Sequence, residues 1–249
     1  MRAILGVVLL ATALGALAQA TPDVPYVDIP AGELRTVLAN DGDRGPVSVA
    51  AFSLRVRPVT RSEFARFVHQ HPQWAPEQVP RTFASAGYLQ DGLETGSPQA
   101  PVTQVSWFAA QAFCESEGAR LPSWNEWERV AAADADHADA RQDPVWRARI
   151  LGWYARPATG PLPDVGGPPN FYGVRDMHGL IWEWVDDFNA LLVSPDSRDQ
   201  GDPDKLKFCG AGAISLQDRE NYAVLMRIAL LSSLQAADST TSLGFRCAR

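Results

Sequence analysis

Long stretches of this chain are rich in Pro and Gly and show no sustained hydrophobic period, which limits the folds that it can adopt. Residues 72–105 carry Pro, Gly, Gln and scattered aromatics, residues 134–169 are polar and then rich in Pro and Gly, and residues 170–187 hold closely spaced Gly and aromatic residues. Such long connections are uncommon in compact domains, yet their Trp and Tyr side chains need burial. The sequence therefore predicts a compact domain that is poor in regular secondary structure.

A few short helices and strands are predicted between these stretches. Alternating apolar residues over 26–34 and 47–56 predict two half-buried strands. A Ser or Thr followed three residues later by Glu forms a capping box, and two such boxes predict helices that begin at Arg61 and Trp124. Another N-cap residue, Ser106, predicts a helix between them.

The N-terminus has the pattern of a secretory signal. Residues 1–20 combine an early Arg, an apolar stretch and a small-residue cleavage site, so we expect a mature domain over residues 21–249 that is periplasmic or secreted. A membrane anchor is the competing interpretation, but the apolar run is short for a bilayer span. The net charge of -7 without a basic cluster favours neither nucleic acid nor an anionic membrane as a partner.

Cysteine usage fits the same compartment. The chain has three cysteines, Cys114, Cys209 and Cys247. In an oxidising environment at least one disulfide is expected, and one thiol is left over. The number and spacing of the cysteines do not decide which two are paired.

Four separated blocks resemble the formylglycine-generating-enzyme, or sulfatase-modifying-factor, family. Residues 101–128 match the pattern PVxxVSWxxAxAYCxWxGxRLPTEAEWE, and residues 170–184 match NxxGLYDMxGNVWEW. Residues 58–68 and 243–247 resemble the family's VTNxEYxxFV helix and its terminal GFRC. The resemblance implies an α+β fold with little regular structure, the family's variant of the C-type lectin fold.

The resemblance also indicates what is missing. Family members that oxidise a substrate cysteine use two thiolates that bind copper(I), because soft sulfur ligands select that ion. The corresponding positions fall near Asp218 and Ala223, and residues 210–233 contain no cysteine. We therefore expect no formylglycine-generating activity. The iron-binding branch of the family uses three histidines from an added domain that this chain lacks, so His178 and the other histidines are interpreted as structural or surface residues.

For the cysteines that remain, the resemblance implies a disulfide between Cys114 and Cys247. Cys209 is then the free thiol, just before the turn where the family site begins. It is either a buried small hydrophobe or a candidate catalytic or copper-binding thiol.

The third block carries a candidate metal site and candidate groove residues. The resemblance implies calcium bound by the side chains of Asp176 and Glu183 and by the carbonyls of Gly179 and Ile181, which is a hard-oxygen set. The alternative is that both carboxylates tie down a turn by hydrogen bonds. Two further residues, Trp182 and Trp184, are expected on one face, either in the core or lining the groove.

Arg227 matches an arginine-rich part of the family's catalytic segment, and its apolar neighbours predict a more hydrophobic groove.

Three functions remain open from the sequence. The first is a periplasmic accessory protein without oxidase activity that binds an exported protein or peptide. It resembles proteins encoded beside copper nitrite reductase, with which it shares a Cys-Gly-x-Gly-Ala segment, so it is expected to assist maturation of such a reductase. The second is a metal-dependent oxidoreductase that uses Cys209, and the third is a calcium-dependent lectin-like binder.

Overall fold

The structure is a computed structural model that describes residues 25–36, 46–155, 160–191 and 222–249. The predicted signal over residues 1–20 and the free thiol of Cys209 lie outside these ranges. In the described part of the chain, no helix is long and apolar enough to cross a membrane.

The N-terminal residues form four short strands, which are β1 (Tyr26–Ile29), β2 (Gly32–Leu34), β3 (Val47–Val49) and β4 (Phe52–Arg55). Strand β1 pairs antiparallel with β4, and β2 pairs antiparallel with β3. The register is the same in both pairs, since Ile29 lies opposite Phe52 and Gly32 opposite Val49. The two predicted strands are thus one ribbon that is interrupted at Pro30, which has no amide hydrogen to donate.

Five helices are described, which are α1 (Arg61–Gln70), α2 (Trp107–Ser116), α3 (Trp124–Ala131), α4 (Pro144–Tyr154) and α5 (Tyr222–Ser232). The starts of α1, α2 and α3 are confirmed, with both capping boxes formed as expected. Helices α4 and α5 were not predicted. The polar and Pro/Gly-rich composition of residues 134–169 favoured an irregular segment there, and that interpretation is wrong over α4.

The C-terminal segment pairs with both β5 and β4 and is linked covalently to α2. Strand β5 (Trp182–Glu183) runs parallel to β6 (Leu243–Gly244). Beyond β6 the chain hydrogen-bonds to β4, where the Arg55 amide donates to the Cys247 carbonyl at 2.9 Å. Cys247 also forms the expected disulfide with Cys114 of α2, so a covalent bond ties the last residues to the central helix.

The described apolar residues form two clusters. The main core includes the fully buried rings of Trp124, Trp184, Phe64 and Phe245. A small separate cluster consists of Ala140, Trp146 and Ile150, against which Tyr154 of α4 and Ala223 of α5 pack. Mixed helices and two-stranded sheets confirm the α+β class with little regular structure.

Candidate functional site

Asp176, the first of the candidate calcium ligands, holds a neighbouring loop. Its backbone has a φ of +58°, a left-handed conformation that Asp tolerates better than most residues. One carboxylate oxygen accepts the amide of Gly166 at 2.7 Å, and the other accepts the amide of Gly167 at 3.0 Å. Both oxygens of Asp176 therefore bind backbone amides.

Glu183, the second candidate ligand, is buried beside a guanidinium. Its Oε2 accepts from Nε of Arg246 at 2.7 Å and from Nε1 of Trp127 at 2.8 Å. Its Oε1 accepts from Nη2 of Arg246 at 2.7 Å. A carboxylate offers about four acceptor positions, so these three bonds leave roughly one for any other ligand.

In the structure, Asp176 and Glu183 thus make hydrogen bonds to protein groups, as in the alternative to calcium binding. Nη2 of Arg246 also donates to the backbone carbonyl of Asp176 at 3.2 Å, so a single guanidinium links the two candidate carboxylate residues. Gly179 is exposed and Ile181 is buried. Calcium on this set stays a prediction, and it requires a cation beside a guanidinium that already neutralises Glu183. Within the described ranges, no group of three or more His, Cys, Asp or Glu side chains is placed to hold a metal ion.

Trp182 and Trp184 differ in burial, although both pack on the main core, and their placement on one face stays a prediction. Trp184 is fully buried, and its Nε1 donates to the Val105 carbonyl at 3.0 Å. Trp182 is half-buried and packs against two aromatic residues of α4. The amide of Trp182 donates to the Ser242 carbonyl at 2.8 Å and that of Trp184 to the Gly244 carbonyl at 2.9 Å, so the backbone pairing with the C-terminal segment extends to Trp184.

The half-buried rings form what we call the aromatic cluster, which consists of Trp153, Tyr154 and Trp182. The ring centroid of Tyr154 lies 4.6 Å from that of Trp153 and 4.8 Å from that of Trp182. The two tryptophan centroids are 5.7 Å apart. The rings are in direct contact with each other, so ligand atoms can reach only their outer faces and edges.

Arg227 anchors α5 to α3 and α4. Its Nε and Nη2 both bind Oε1 of Glu128, the former at 2.7 Å, and its Nη1 donates to the Tyr154 hydroxyl at 2.6 Å. The guanidinium also lies over the Trp127 ring, with Cζ 4.6 Å from the centroid. Burial lowers the pKa of Arg227, but the charge of Glu128 and the contacts with Tyr154 together offset this, and the pKa is raised overall. The guanidinium of Arg227 is therefore charged.

His178 lies on the other side of the same ion pair. Its ring meets the rings of Trp127 and Trp146 edge to face, and its Nε2 is 2.7 Å from the Ala131 carbonyl. Burial, and next the charge of Arg227, lower the pKa of His178 to about 3. The imidazole is therefore neutral at physiological pH.

A small cavity separates α3, α4 and α5. It is lined by residues of all three helices and by His178, and it offers about 20 Å³ to a water-sized molecule. That is the space of roughly one water molecule. We call the contact of α4 and α5 with α3 around this cavity the α4–α5 joint, which comprises Glu128, Trp146, Tyr154, His178, Ala223 and Arg227.

The cavity does not fit the copper site of the oxidising family members. Ala223, which lies near one of the two positions where the resemblance places a thiolate, lines the cavity. Asp218, the other such position, lies outside the described residues, and so does Cys209. Copper(I) is selected by soft sulfur ligands, and the described lining residues supply none. No copper chemistry is assigned to this cavity.

Sequence reasoning missed most of the joint. Glu128 was part of a recognised motif, but nothing in the sequence marked it as the partner of an arginine 99 residues away. Tyr154 and Trp153 belong to α4, which was not predicted. Asp143 followed by Pro144 is a helix-start signal that could have identified that helix.

The structure defines a disulfide-tied α+β domain with little regular secondary structure. The family model described as "Sulfatase-modifying factor enzyme 1-like domain" matches residues 18–249. This chain belongs to that family.

Relatives with assigned names support the same family. The chain is 28% identical over 206 residues to the formylglycine-generating enzyme of Bos taurus, covering 76% of this chain and 54% of that protein. It is 29% identical over 202 residues to the formylglycine-generating enzyme of Thermomonospora curvata, covering 73% and 65%. It is also 29% identical over 171 residues to the hercynine oxygenase of Mycolicibacterium smegmatis, covering 59% and 40%.

The chain thus spans between about half and two thirds of the length of the two formylglycine-generating enzymes. Among solved structures, PvdO from Pseudomonas aeruginosa has a TM-score of 0.49 and 18% identity, over 90% of this chain and 93% of that one.

Proposed function

We propose that this chain is a non-oxidising member of its family that binds an extended segment of an exported protein. Its binding surface is the aromatic cluster of Trp153, Tyr154 and Trp182. The export of both proteins rests on the signal predicted over residues 1–20.

One observation carries the proposal. Ala223 lies near one of the two positions where the resemblance places a catalytic thiolate, and it lines a cavity whose described residues include no cysteine. Residues 210–233 contain no cysteine either. Oxidation of a bound cysteine therefore lacks the sulfur ligands that hold copper(I) in the oxidising family members.

The aromatic cluster, unlike the cavity, has ring surface that a peptide can contact. Its three rings are half-buried, and the hydroxyl of Tyr154 is fixed by Arg227, which orients that ring. Tyr and Trp supply large contact areas with little loss of conformational entropy, and they are enriched among the residues that dominate binding energy. A preformed group of such rings suits an extended peptide that presents apolar side chains.

The first experiment tests for oxidation. The purified mature protein is incubated with copper(I), a thiol reductant, oxygen and a sulfatase-derived peptide, and the peptide mass is followed. We expect no conversion of cysteine to the aldehyde. Conversion at a rate comparable to that of a formylglycine-generating enzyme in the same assay contradicts the proposal.

The second experiment tests binding with a defined bait. A copper nitrite reductase precursor is the bait, because the resemblance is to proteins encoded beside such enzymes. We expect Trp182→Ala to weaken binding by at least tenfold, while Phe83→Ala, an exposed aromatic outside the aromatic cluster, leaves it unchanged. Failure of the bait to bind, or equal effects of the two variants, contradicts the proposal.

The two alternatives from the sequence have distinct outcomes. An oxidoreductase that uses Cys209 predicts bound copper that is lost in Cys209→Ser. A calcium-dependent lectin-like binder predicts that calcium raises the melting temperature, and that Asp176→Asn abolishes this effect. Elemental analysis of the protein purified from periplasm separates both alternatives from the metal-independent binder proposed above.

A further inference from the structure

A larger cavity lies in the irregular segment that follows α1. Its volume is about 360 Å³, against about 20 Å³ for the cavity between α3, α4 and α5. Pockets that bind small molecules usually measure about 300–1,000 Å³. The described residues that line it all fall within residues 76–92, and none of them belongs to the aromatic cluster or to the α4–α5 joint. We call this cavity the loop pocket.

Hydrogen bonds to neighbouring segments fix the wall of the loop pocket. The Tyr88 hydroxyl donates to the Trp74 carbonyl at 2.9 Å. The Ser85 amide donates to the Ala237 carbonyl at 2.7 Å, which ties the segment to the chain beyond α5. A wall that is held in place by protein contacts does not have to be ordered by a ligand, so binding there costs less conformational entropy.

Leu89 lines the loop pocket in a backbone conformation that leucine seldom adopts. Its φ is 46°, in the left-handed region that disfavours bulky side chains. Its amide donates to the Gln104 carbonyl at 2.8 Å, and Gln104 itself has a φ of 58°. Strained backbone persists only where the surrounding structure enforces it, and it is concentrated at ligand-binding and catalytic sites. The strain at Leu89 therefore supports a binding role for this pocket.

The loop pocket contains one charge of each sign. Glu77 and Arg81 both line it, and both residues are exposed. In the part of the chain that the structure describes, neither side chain takes part in an ion pair or a hydrogen bond. The carboxylate of Glu77 is thus available to an ammonium group, and the guanidinium of Arg81 can bind a carboxylate by charge-assisted hydrogen bonds.

The rest of the wall includes apolar surface. Pro76, Val79 and Leu89 contribute aliphatic groups. Tyr88 contributes its ring, since the hydrogen of its hydroxyl is already donated to Trp74. A ligand that carries an ammonium group, a carboxylate and a short apolar part matches the charges and the apolar surface together. Free amino acids and dipeptides have this chemistry.

We propose that the loop pocket binds a small zwitterion, an amino acid or a dipeptide whose free carboxylate pairs with Arg81 and whose free ammonium group pairs with Glu77. The inference does not depend on what the aromatic cluster binds, because the two sites share no residue.

Calorimetric titration of the mature protein tests the ligand class. The probes are alanyl-leucine with free termini, its N-acetyl derivative and its C-terminal amide. Alanyl-leucine should bind saturably at one site per chain. Each blocked derivative should bind about tenfold more weakly, because it lacks one of the two charge-assisted hydrogen-bonding groups. Absence of saturable binding by alanyl-leucine, or equal affinity for the three probes, overturns the proposal.

Charge-neutralising substitutions test the orientation of the ligand. Arg81→Gln should weaken binding of alanyl-leucine about tenfold but leave the affinity for the C-terminal amide unchanged, because that probe has no carboxylate to lose. Glu77→Gln should do the same with respect to the N-acetyl derivative. Arg66→Gln and Glu94→Gln are the matched controls, since both residues are exposed and neither lines the pocket.

The pattern across probes and variants decides the outcome. If Arg81→Gln weakens all three probes equally, the guanidinium does not pair with the ligand carboxylate and the proposal is wrong. If the two control variants weaken alanyl-leucine as much as the pocket variants do, the ligand responds to the overall charge of the surface and the proposal is wrong as well.

Discussion

The main core and the α4–α5 joint are stabilised by different interactions. The main core buries Trp124, Trp184 and Phe64 and is closed by the disulfide between Cys114 and Cys247. In the joint, the apolar cluster is small, and a buried ion pair and hydrogen bonds add to the packing of α5 residues Val224, Ile228 and Leu231 on the main core. Burial of apolar area is non-directional and tolerates substitution, whereas a buried ion pair fails when one partner is lost. The main core contains a buried ion pair as well, between Glu183 and Arg246, so the two regions differ in how much apolar packing surrounds the ion pair, and the joint has less of it.

The largest effect is expected from the covalent bond of the main core. The disulfide closes a loop with a sequence separation of 133 residues. Replacing both Cys114 and Cys247 by Ala should lower the free energy of unfolding by up to roughly 5 kcal/mol in the loop-entropy model. Urea unfolding under non-reducing conditions measures this loss.

Cys209→Ser is the matched control for the disulfide variant. It removes the remaining thiol without opening the loop, so its free energy of unfolding should stay close to that of the wild type. A loss below about 1 kcal/mol for the double alanine variant would mean that the main core does not depend on the disulfide.

The next effect is expected in the joint. Arg227→Met leaves the buried carboxylate of Glu128 without its cation and should cost about 3–5 kcal/mol. Adding Glu128→Leu should recover most of that loss, since a buried ion pair can often be replaced by apolar groups. Urea unfolding of the single and double variants provides the measurement.

The ion pair between Arg120 and Glu126 is the control, because it is partly exposed, with 42% of the arginine side chain accessible. Arg120→Met should cost no more than about 1 kcal/mol. If the two arginine variants are equally destabilised, the contrast between joint and surface is wrong.

A pH experiment probes the joint through His178. Its pKa is about 3 in the folded protein, against an ordinary value of 6.5, because of burial and then the charge of Arg227. Between these values the unfolded chain binds a proton that the folded chain does not, so stability must fall as the pH falls. The contribution from His178 should be about 2 kcal/mol smaller at pH 5 than at pH 7.

The measurement is the difference between wild type and His178→Phe in urea unfolding at both pH values. That difference should change by about 2 kcal/mol, and a constant difference would show that His178 titrates normally when folded. His137→Gln is a control of opposite sign. His137 is exposed, and its hydrogen bond to Asp134 raises its pKa, so its contribution is present at low pH and is lost as the pH rises.

The difference between the main core and the α4–α5 joint also explains which features could be predicted from the sequence. The starts of α1 and α3 were correct because a capping box is local, with Thr60 and Glu63, or Ser123 and Glu126, three residues apart. The disulfide followed from the family resemblance and not from the spacing of the cysteines. Turn formers were expected to end the first strand, and β1 does end before Pro30, but the resumed pairing from Gly32 was not predicted.

The joint could not be predicted in the same way. Glu128 and Arg227 are 99 residues apart, and His178 meets α3 and α4 only through the fold. Their chemistry depends on burial, which neither residue type indicates. Asp143 and Pro144 were readable as the start of α4, but the polar composition around them favoured a loop.

The smallest effect is expected from the helix caps. A cap-to-alanine substitution can be made both in the main core and in the α4–α5 joint, so the two regions can be compared by the same kind of change. Ser123 accepts the amide of Glu126 in the main core, and Asp143 accepts the amide of Val145 at the start of α4. Each substitution to Ala should cost about 1 kcal/mol in urea unfolding if each cap contributes fully to global stability.

Hydrogen exchange distinguishes the two caps. Ser123→Ala should raise the exchange rates of amides throughout the main core, because α3 unfolds only with the whole domain. Asp143→Ala should raise those of α4 first, since Trp146 and Ile150 of α4 lie in the small separate cluster, whereas α5 contributes Val224, Ile228 and Leu231 to the main core. Uniform changes in both variants would show that the joint and the main core unfold as one cooperative unit, so that the ion pair of Arg227 couples them as tightly as the disulfide couples the two halves of the core.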